Sequence, residues 1–225
     1  ENGCDYLVVG RPITRSEDRV KACRMIVEEI AEGMEHNKKS KAQKIAMALL
    51  SSQAVKLNVK EPFTFVSGIK SPIYCDNRYV IGFPEYRKVI VESFVNILKL
   101  KDFDIVAGTA TAGIPWASFI AYELYKPMCY IRAEKKEHGR GRQIEGADCN
   151  GKRLILIEDL ISTGGSSIKA FEAAKAEGAI GLEIISIFSY EFEKAKKNFE
   201  EANIKFSSLS NFSSLMEIAK DEKYI

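Results

Sequence analysis

The stretch Leu154-Ile-Leu-Ile-Glu-Asp-Leu-Ile-Ser-Thr-Gly-Gly-Ser-Ser167 constrains this chain more than any other. Its apolar run reads as a buried strand, Arg153 to Glu158, with two acids, Glu158 and Asp159, at its end. A turn rich in hydroxyls and glycine follows. It opens a helix expected over Gly165 to Glu177 and closed by Gly178. Backbone N–H groups at a helix start, together with the hydroxyls of Ser162, Thr163, Ser166 and Ser167, make an anion pocket. Gly164 and Gly165 let the backbone come close to a phosphate. The spacing is neither G-x-x-x-x-G-K-[ST] nor G-x-G-x-x-G. Two carboxylates beside a phosphate would repel it unless they address a neutral part of the same ligand. A sugar phosphate satisfies both demands, with phosphate on the turn and hydroxyls on the acids.

The neighbouring pattern places this unit in a sheet. Asp104 to Gly108 suits a buried strand, Ile114 to Tyr125 a helix, Pro127 to Arg132 a strand and Leu182 to Phe188 another strand. Strands alternating with helices imply right-handed crossovers and a parallel sheet. Ligands then bind at the carboxyl ends of the strands, where loops 109–113, 133–149 and 159–166 begin. Upstream, Val20, Cys23, Val27, Ile30 and Met34 form one helical stripe from about Ser16 to Met34. The polar segment His36 to Lys41 reads as a break before a second helix, Ser40 to Leu57. Residues 58–83 read as short strands and turns, and Pro84 to Lys101 as a helix. The tail from Glu191 suits one or two amphipathic helices around Phe199 and Leu215.

Composition narrows the function. A net charge of +2, from 33 basic and 31 acidic residues, argues against broad coating of nucleic acid or attraction to membranes. Five cysteines without a C-x-x-C pair argue against a disulfide framework or zinc site and point to reduced thiols in a cytoplasmic protein. No apolar stretch reaches the roughly 18 residues of a membrane span.

The stretch I-L-I-E-D-L-I-S-T-G-G-S-S resembles the signature of the type I phosphoribosyltransferase family. The resemblance implies that family's α/β fold, a twisted parallel sheet flanked by helices with a small hood over the site. Glu158 and Asp159 would hold the ribose hydroxyls of phosphoribosyl pyrophosphate. Ser162, Thr163, Gly164, Gly165 and Ser166 would cradle its 5′-phosphate. Gly108-Thr-Ala-Thr-Ala-Gly-Ile-Pro115 is similar to the family's pyrophosphate turn, which assigns Thr109 and Ala110 to that ligand.

Two further stretches resemble the orotate phosphoribosyltransferases within that family. Tyr130 to Gly146 carries Arg132, Lys135, Lys136, His138, Arg140 and Arg142 and three glycines, which suits a mobile cationic loop for a pyrophosphate leaving group. Arg132, Lys136, His138, Gly139 and Gly141 match R-x-x-x-K-x-H-G-x-G. Ala133 stands where many members have Lys, and Lys135 can supply that charge toward pyrophosphate. Phe63 to Arg78 is similar to the family's orotate segment. Ser67, Gly68, Ser71, Pro72, Tyr74, Asp76 and Arg78 match, which supplies an aromatic wall and cations for a planar anionic base. Val66 stands where some members have Lys. Ser189-Tyr190-Glu191 stands where others carry an Asp-Arg anchor, leaving Lys70 or Arg78 for the orotate carboxylate.

The resemblance therefore implies transfer of a phosphoribosyl group to orotate in pyrimidine biosynthesis. Arg132, Lys136, His138 and Asp159 would be catalytic. Lys70, Tyr74, Asp76, Arg78 and Ser162 would face the base. Mg²⁺ would be held chiefly by substrate and water. It also implies a homodimer with shared sites, and a possible partner in orotidine 5′-phosphate decarboxylase. The expected division is an extension over 1–39 and a catalytic domain over 40–225, with its core about 84–190 and the hood built from 58–83 and the C-terminal tail. The alternatives are transfer to another base, or a non-catalytic regulator of the same fold binding nucleotide or RNA.

Overall fold

The structure, a computed structural model, describes residues 9–58, 61–64, 70–134 and 143–225, with residues 31–40 described by their backbone alone. Two compact units are present, Glu1–Ser40 and Lys41–Ile225.

In the first unit Gly10 precedes a short helix, α1 (Arg11–Thr14). Asp18 then starts α2 (Arg19–Ser51), its carboxylate accepting from the Lys21 amide at 2.9 Å. This single helix corrects the expected break over His36 to Lys41. The segment is polar, but half of its residues are Lys, a good helix former, and no proline interrupts it. The helix also stops earlier than expected, because Val55–Leu57 forms a strand, β1. In the first unit's part of α2, Val20 and Val27 are each 64% exposed and Ile30 is 40% exposed. Met34 lies outside the described side chains.

In the second unit β1 pairs antiparallel with β4 (Ile73–Cys75), and β2 (Phe63–Thr64) pairs antiparallel with β3 (Lys70–Ser71). A 3-10 turn, Asn77–Gly82, leads into α3 (Pro84–Leu98), where proline at the first helical position loses no hydrogen bond. There follow β5 (Ile105–Thr109), α4 (Gly113–Leu124), β6 (Met128–Ile131), β7 (Ile144–Gly146), β8 (Arg153–Ile161) and α5 (Gly165–Ala176). The chain ends through β9 (Ile180–Ser189), α6 (Glu193–Glu201), β10 (Phe206–Asn211) and α7 (Phe212–Asp221).

The main sheet has the order β10-β9-β8-β5-β6-β7. It is parallel except for β7, which folds back on β6. Residues 133–150, expected as one loop, thus contain a strand. Alternate residues of the central strands bury on opposite faces. Val106, Ile155, Ile157, Ile185 and Ile187 pack with α3, α4, α7 and the end of α2. Ile105, Ala107, Leu154, Leu156 and Ile184 pack with α5 and α6. Burial on both faces explains why these strands read as unbroken apolar runs. Edge strand β10, Phe-Ser-Ser-Leu-Ser-Asn, carries no such run and lay hidden in a tail expected to be helical. Among the described residues no helix is long and apolar enough to cross a membrane.

Candidate active site

Strand β8 runs three residues beyond the expected end at Glu158, so both acids lie within it. The pleat therefore sends them to opposite faces. Glu158 is buried at 5% exposure. Its Oε2 accepts from Ser167 Oγ at 3.0 Å in the first turn of α5, and its Oε1 accepts from the Asp159 amide at 3.0 Å. Burial, and then the Asp159 charge, push the Glu158 carboxyl up to about 8. Asp159 is half-buried, and burial raises its carboxyl too. The two sequence neighbours are thus chemically distinct: Glu158 is buried and bonded to the first turn of α5, while Asp159 is partly exposed at the end of β8.

The turn after β8 leaves Ser162 and Ser166 exposed, Thr163 half-buried and Gly164 buried. Gly164 has φ +77°, and a Cβ there would meet the Phe199 ring at 2.5 Å. This position requires glycine for its backbone and for the packing of α6. Gly165 opens onto empty space. Asn198 of α6 donates to the Thr163 carbonyl at 2.8 Å, a support that sequence reading missed.

The turn after β5 lies against β8. A Cβ on Gly113 would stand 2.5 Å from the Ile157 carbonyl oxygen, and one on Gly108 would stand 2.8 Å from the Gly113 carbonyl oxygen. Thr109 Oγ1 reaches the same Ile157 carbonyl at 3.5 Å, and the Ala110 amide donates to Ile131 at 2.8 Å. The Ala110–Thr111 peptide is cis. The glycines of this turn thus serve strand-to-turn packing, and the turn is fixed between β6 and β8.

Arg132 follows β6, and its amide donates to the Gln143 carbonyl at 3.0 Å while Gln143 Nε2 donates back to the Arg132 carbonyl at 2.9 Å. This clamp closes the base of the basic loop. Lys135, Lys136 and His138 lie outside the described residues, as do Arg140, Arg142, Ser67 and Gly68.

Residues 70–78 carry Tyr74, Asp76 and Arg78. Arg78 grips Asp76 through Nε at 2.7 Å and Nη2 at 2.9 Å. This holds the Asp76 carboxyl below its ordinary range. Between Asp76 and Arg78 in sequence, Asn77 donates to the Asp159 carbonyl at 2.6 Å, which ties this cluster to the end of β8. The exposed Tyr74 ring lies 5.8 Å from that of Phe63. Lys70 is exposed on β3. Beyond β9, Tyr190 is buried and stacks on Phe192 at 5.3 Å. Glu191 accepts from the Ser213 amide at 2.9 Å and from its hydroxyl at 2.6 Å. This corner is committed to packing and to α7.

The phosphoribosyl transferase domain family matches residues 87–218. The orotate phosphoribosyltransferase of Streptococcus pneumoniae serotype 19F is 50% identical over 186 residues, 82% of this chain and 89% of its own. That of Coxiella burnetii is 50% identical over 188 residues, 83% of this chain and 90% of its own. Among solved structures, orotate phosphoribosyltransferase from Aeropyrum pernix superposes with TM-score 0.67 at 25% identity, covering 80% of this chain and 99% of its own. Leishmania donovani UMP synthase superposes with TM-score 0.73 at 26% identity over 96% of this chain, which spans only 46% of that protein. With half of the aligned residues identical to these relatives over more than four-fifths of its length, the chain belongs to the orotate phosphoribosyltransferases of the phosphoribosyltransferase family.

Proposed function

We propose that the chain transfers the 5-phosphoribosyl group of phosphoribosyl pyrophosphate to orotate, giving orotidine 5′-monophosphate and pyrophosphate in the cytoplasm. The observation that carries this reading is the convergence of Asp159, the hydroxyl-rich start of α5 and the Tyr74–Asp76–Arg78 cluster. The 5′-phosphate lies on the amides and hydroxyls of Ser162, Thr163, Gly164, Gly165 and Ser166. Asp159 takes the ribose hydroxyls, with Glu158 bracing it. Thr109 and Ala110 face the pyrophosphate. Tyr74 walls the base, and Lys70 takes the orotate carboxylate because Arg78 already grips Asp76. Residues 58–83 supply the hood, while the C-terminal tail, expected to share in it, instead adds β10 to the main sheet and packs α7 on the core.

Orotate nitrogen attacks C1 of the ribose as pyrophosphate leaves, through an oxocarbenium-like state. Positioning and charge carry the rate, with Arg132, Lys135, Lys136 and His138 meeting the charge that grows on the leaving group. Among the described residues no cluster of three or more His, Cys, Asp or Glu side chains forms a metal cage. That lining fits Mg²⁺ held chiefly by substrate and water oxygens. When bound, the ion supplies neutralisation of pyrophosphate charge.

The decisive assay follows orotate absorbance with phosphoribosyl pyrophosphate and Mg²⁺. Consumption that needs both supports the reading. Inert orotate with consumption of uracil or a purine overturns it.

The finer assembly reading is a homodimer whose basic loop serves the neighbouring site, associated with orotidine 5′-phosphate decarboxylase through the N-terminal unit. Two observations support that association. The match to UMP synthase omits only about nine residues of this chain, so it takes in most of the segment before Lys41. The match to the Aeropyrum enzyme stops at 80%. The exposed Val20, Val27 and Ile30 supply an apolar face. Deleting residues 1–38 should abolish co-purification with the decarboxylase, and unchanged association would refute it.

A further inference from the structure

Asn77 is fully buried one residue from the solvent-facing Arg78. A buried amide is unfavourable unless both its ends are bonded, and both are. Its Nδ2 donates to the Asp159 carbonyl oxygen at 2.6 Å, across 82 residues of sequence. Its Oδ1 accepts from Cys75 Sγ at 3.0 Å. Burial, and then the charges of Asp159 and Asp76, hold the Cys75 thiol in its protonated, donating form. The Cys75 amide in turn donates to Tyr190 Oη at 3.1 Å. Tyr190 is itself fixed edge-on to Phe188 at 5.6 Å.

The sheet leaves a gap that Asn77 fills. Pairing between β5 and β8 ends at Gly108 with Ile157, so Asp159 lies beyond the last residue that β5 holds. The donor to its carbonyl comes instead from the turn that directly continues the base segment Tyr74-Cys75-Asp76. One side chain therefore joins the peptide carrying the ribose acid to the stretch that walls the base.

We propose that Asn77 is a positioning residue, fixing the Asp159 peptide against the Tyr74–Arg78 segment so that ribose and base meet at attack distance. This rests on the reading above, in which Asp159 addresses ribose and the segment addresses orotate. A residue present only for packing would affect the melting temperature. One that sets the geometry of two reactants lowers kcat and kcat/KM together, because small misplacements are felt in the transition state.

The experiment compares Asn77→Ala, Asn77→Asp and Asp159→Asn by steady-state kinetics on both substrates, with thermal melts confirming folding. Asn77→Ala should lower kcat about ten- to a hundredfold with small changes in KM. Asn77→Asp keeps the shape, and its carboxyl can donate to the Asp159 carbonyl only while protonated. Its rate relative to the unsubstituted enzyme should be highest near pH 6 and fall toward about pH 9. Taking the ratio cancels the groups around it that titrate in both proteins: Cys75, Asp76 and Arg78 on its own segment, Glu158 and Asp159 on β8, and Tyr190 past β9. A folded Asn77→Ala with kcat within about twofold overturns the proposal. So does an Asn77→Asp ratio flat across pH, which decides alone if Asn77→Ala does not fold. If Asp159→Asn is also unimpaired, the site reading itself has failed. If Asp159→Asn is inactive while the Asn77 variants work normally, only the role of Asn77 has failed.

Discussion

Replacing Glu158 by Gln should stabilise the protein in alkali and leave it unchanged in acid. The native carboxyl is buried, bonded to Ser167 Oγ and the Asp159 amide, and pushed by burial from its ordinary 4.5 up to about 8. A carboxyl raised on folding means that the native state holds a proton the unfolded chain has released. Stability is therefore full below about pH 4.5, falls as pH rises through that window, and levels off above about 8. At about 1.4 kcal/mol per pH unit the displacement corresponds to at most about 5 kcal/mol. Relaxation and sharing of the proton with Asp159 reduce this to on the order of 3 kcal/mol.

Gln keeps the neutral shape: its Oε1 can accept from the Asp159 amide while its Nε2 donates to Ser167 Oγ. Melting curves of the two ligand-free proteins should coincide near pH 4. At pH 9 the variant should melt about 6 to 12 °C higher, from about 2 to 4 °C per kcal/mol for a chain of this size. Groups elsewhere titrate in both proteins and cancel in the comparison. Parallel loss of stability in both proteins, or a variant weaker at pH 9, would refute the assignment of the buried proton to Glu158.

Three further outcomes are expected. Asp159→Asn should keep the fold and lower turnover about tenfold or more, since a charge-assisted hydrogen bond contributes about 1.5–3 kcal/mol. Near-normal kinetics together with normal phosphoribosyl pyrophosphate affinity by calorimetry would remove Asp159 from the site. Gly113→Ala places a methyl 2.5 Å from the Ile157 carbonyl oxygen, where only backbone can yield. It should destabilise by about 2–3 kcal/mol, read by urea unfolding, and separate the turn after β5 from β8. Mixing inactive Lys136→Ala and Asp159→Asn proteins should restore roughly a quarter of normal activity if the basic loop serves the neighbouring subunit. Half of randomly paired dimers then contain one intact site, whereas a loop acting on its own chain restores nothing once subunit exchange is confirmed.

The central sheet was legible because its strands are buried on both faces and leave unbroken apolar runs in the sequence. The candidate site was legible for the related reason that its loops must start where those runs stop. Edge strand β10 was not legible, because Phe-Ser-Ser-Leu-Ser-Asn satisfies its backbone without an apolar signature. Strand β7 was masked by the charged loop it closes. The continuous α2 was missed because polarity was read as a break, although Lys-rich sequence without proline continues a helix readily. The signature Glu158-Asp159 illustrates a deeper limit. Two adjacent acids look equivalent in sequence, but a strand pleat turns them to opposite faces, and one becomes a buried brace. Asn77 escaped notice for the converse reason. Its partner is a main-chain carbonyl, which every residue possesses, so no residue type at Asp159 advertises the contact. Ligand-facing side chains are chosen for their chemistry and leave motifs, whereas the groups that aim them bind backbone and become visible only in three dimensions.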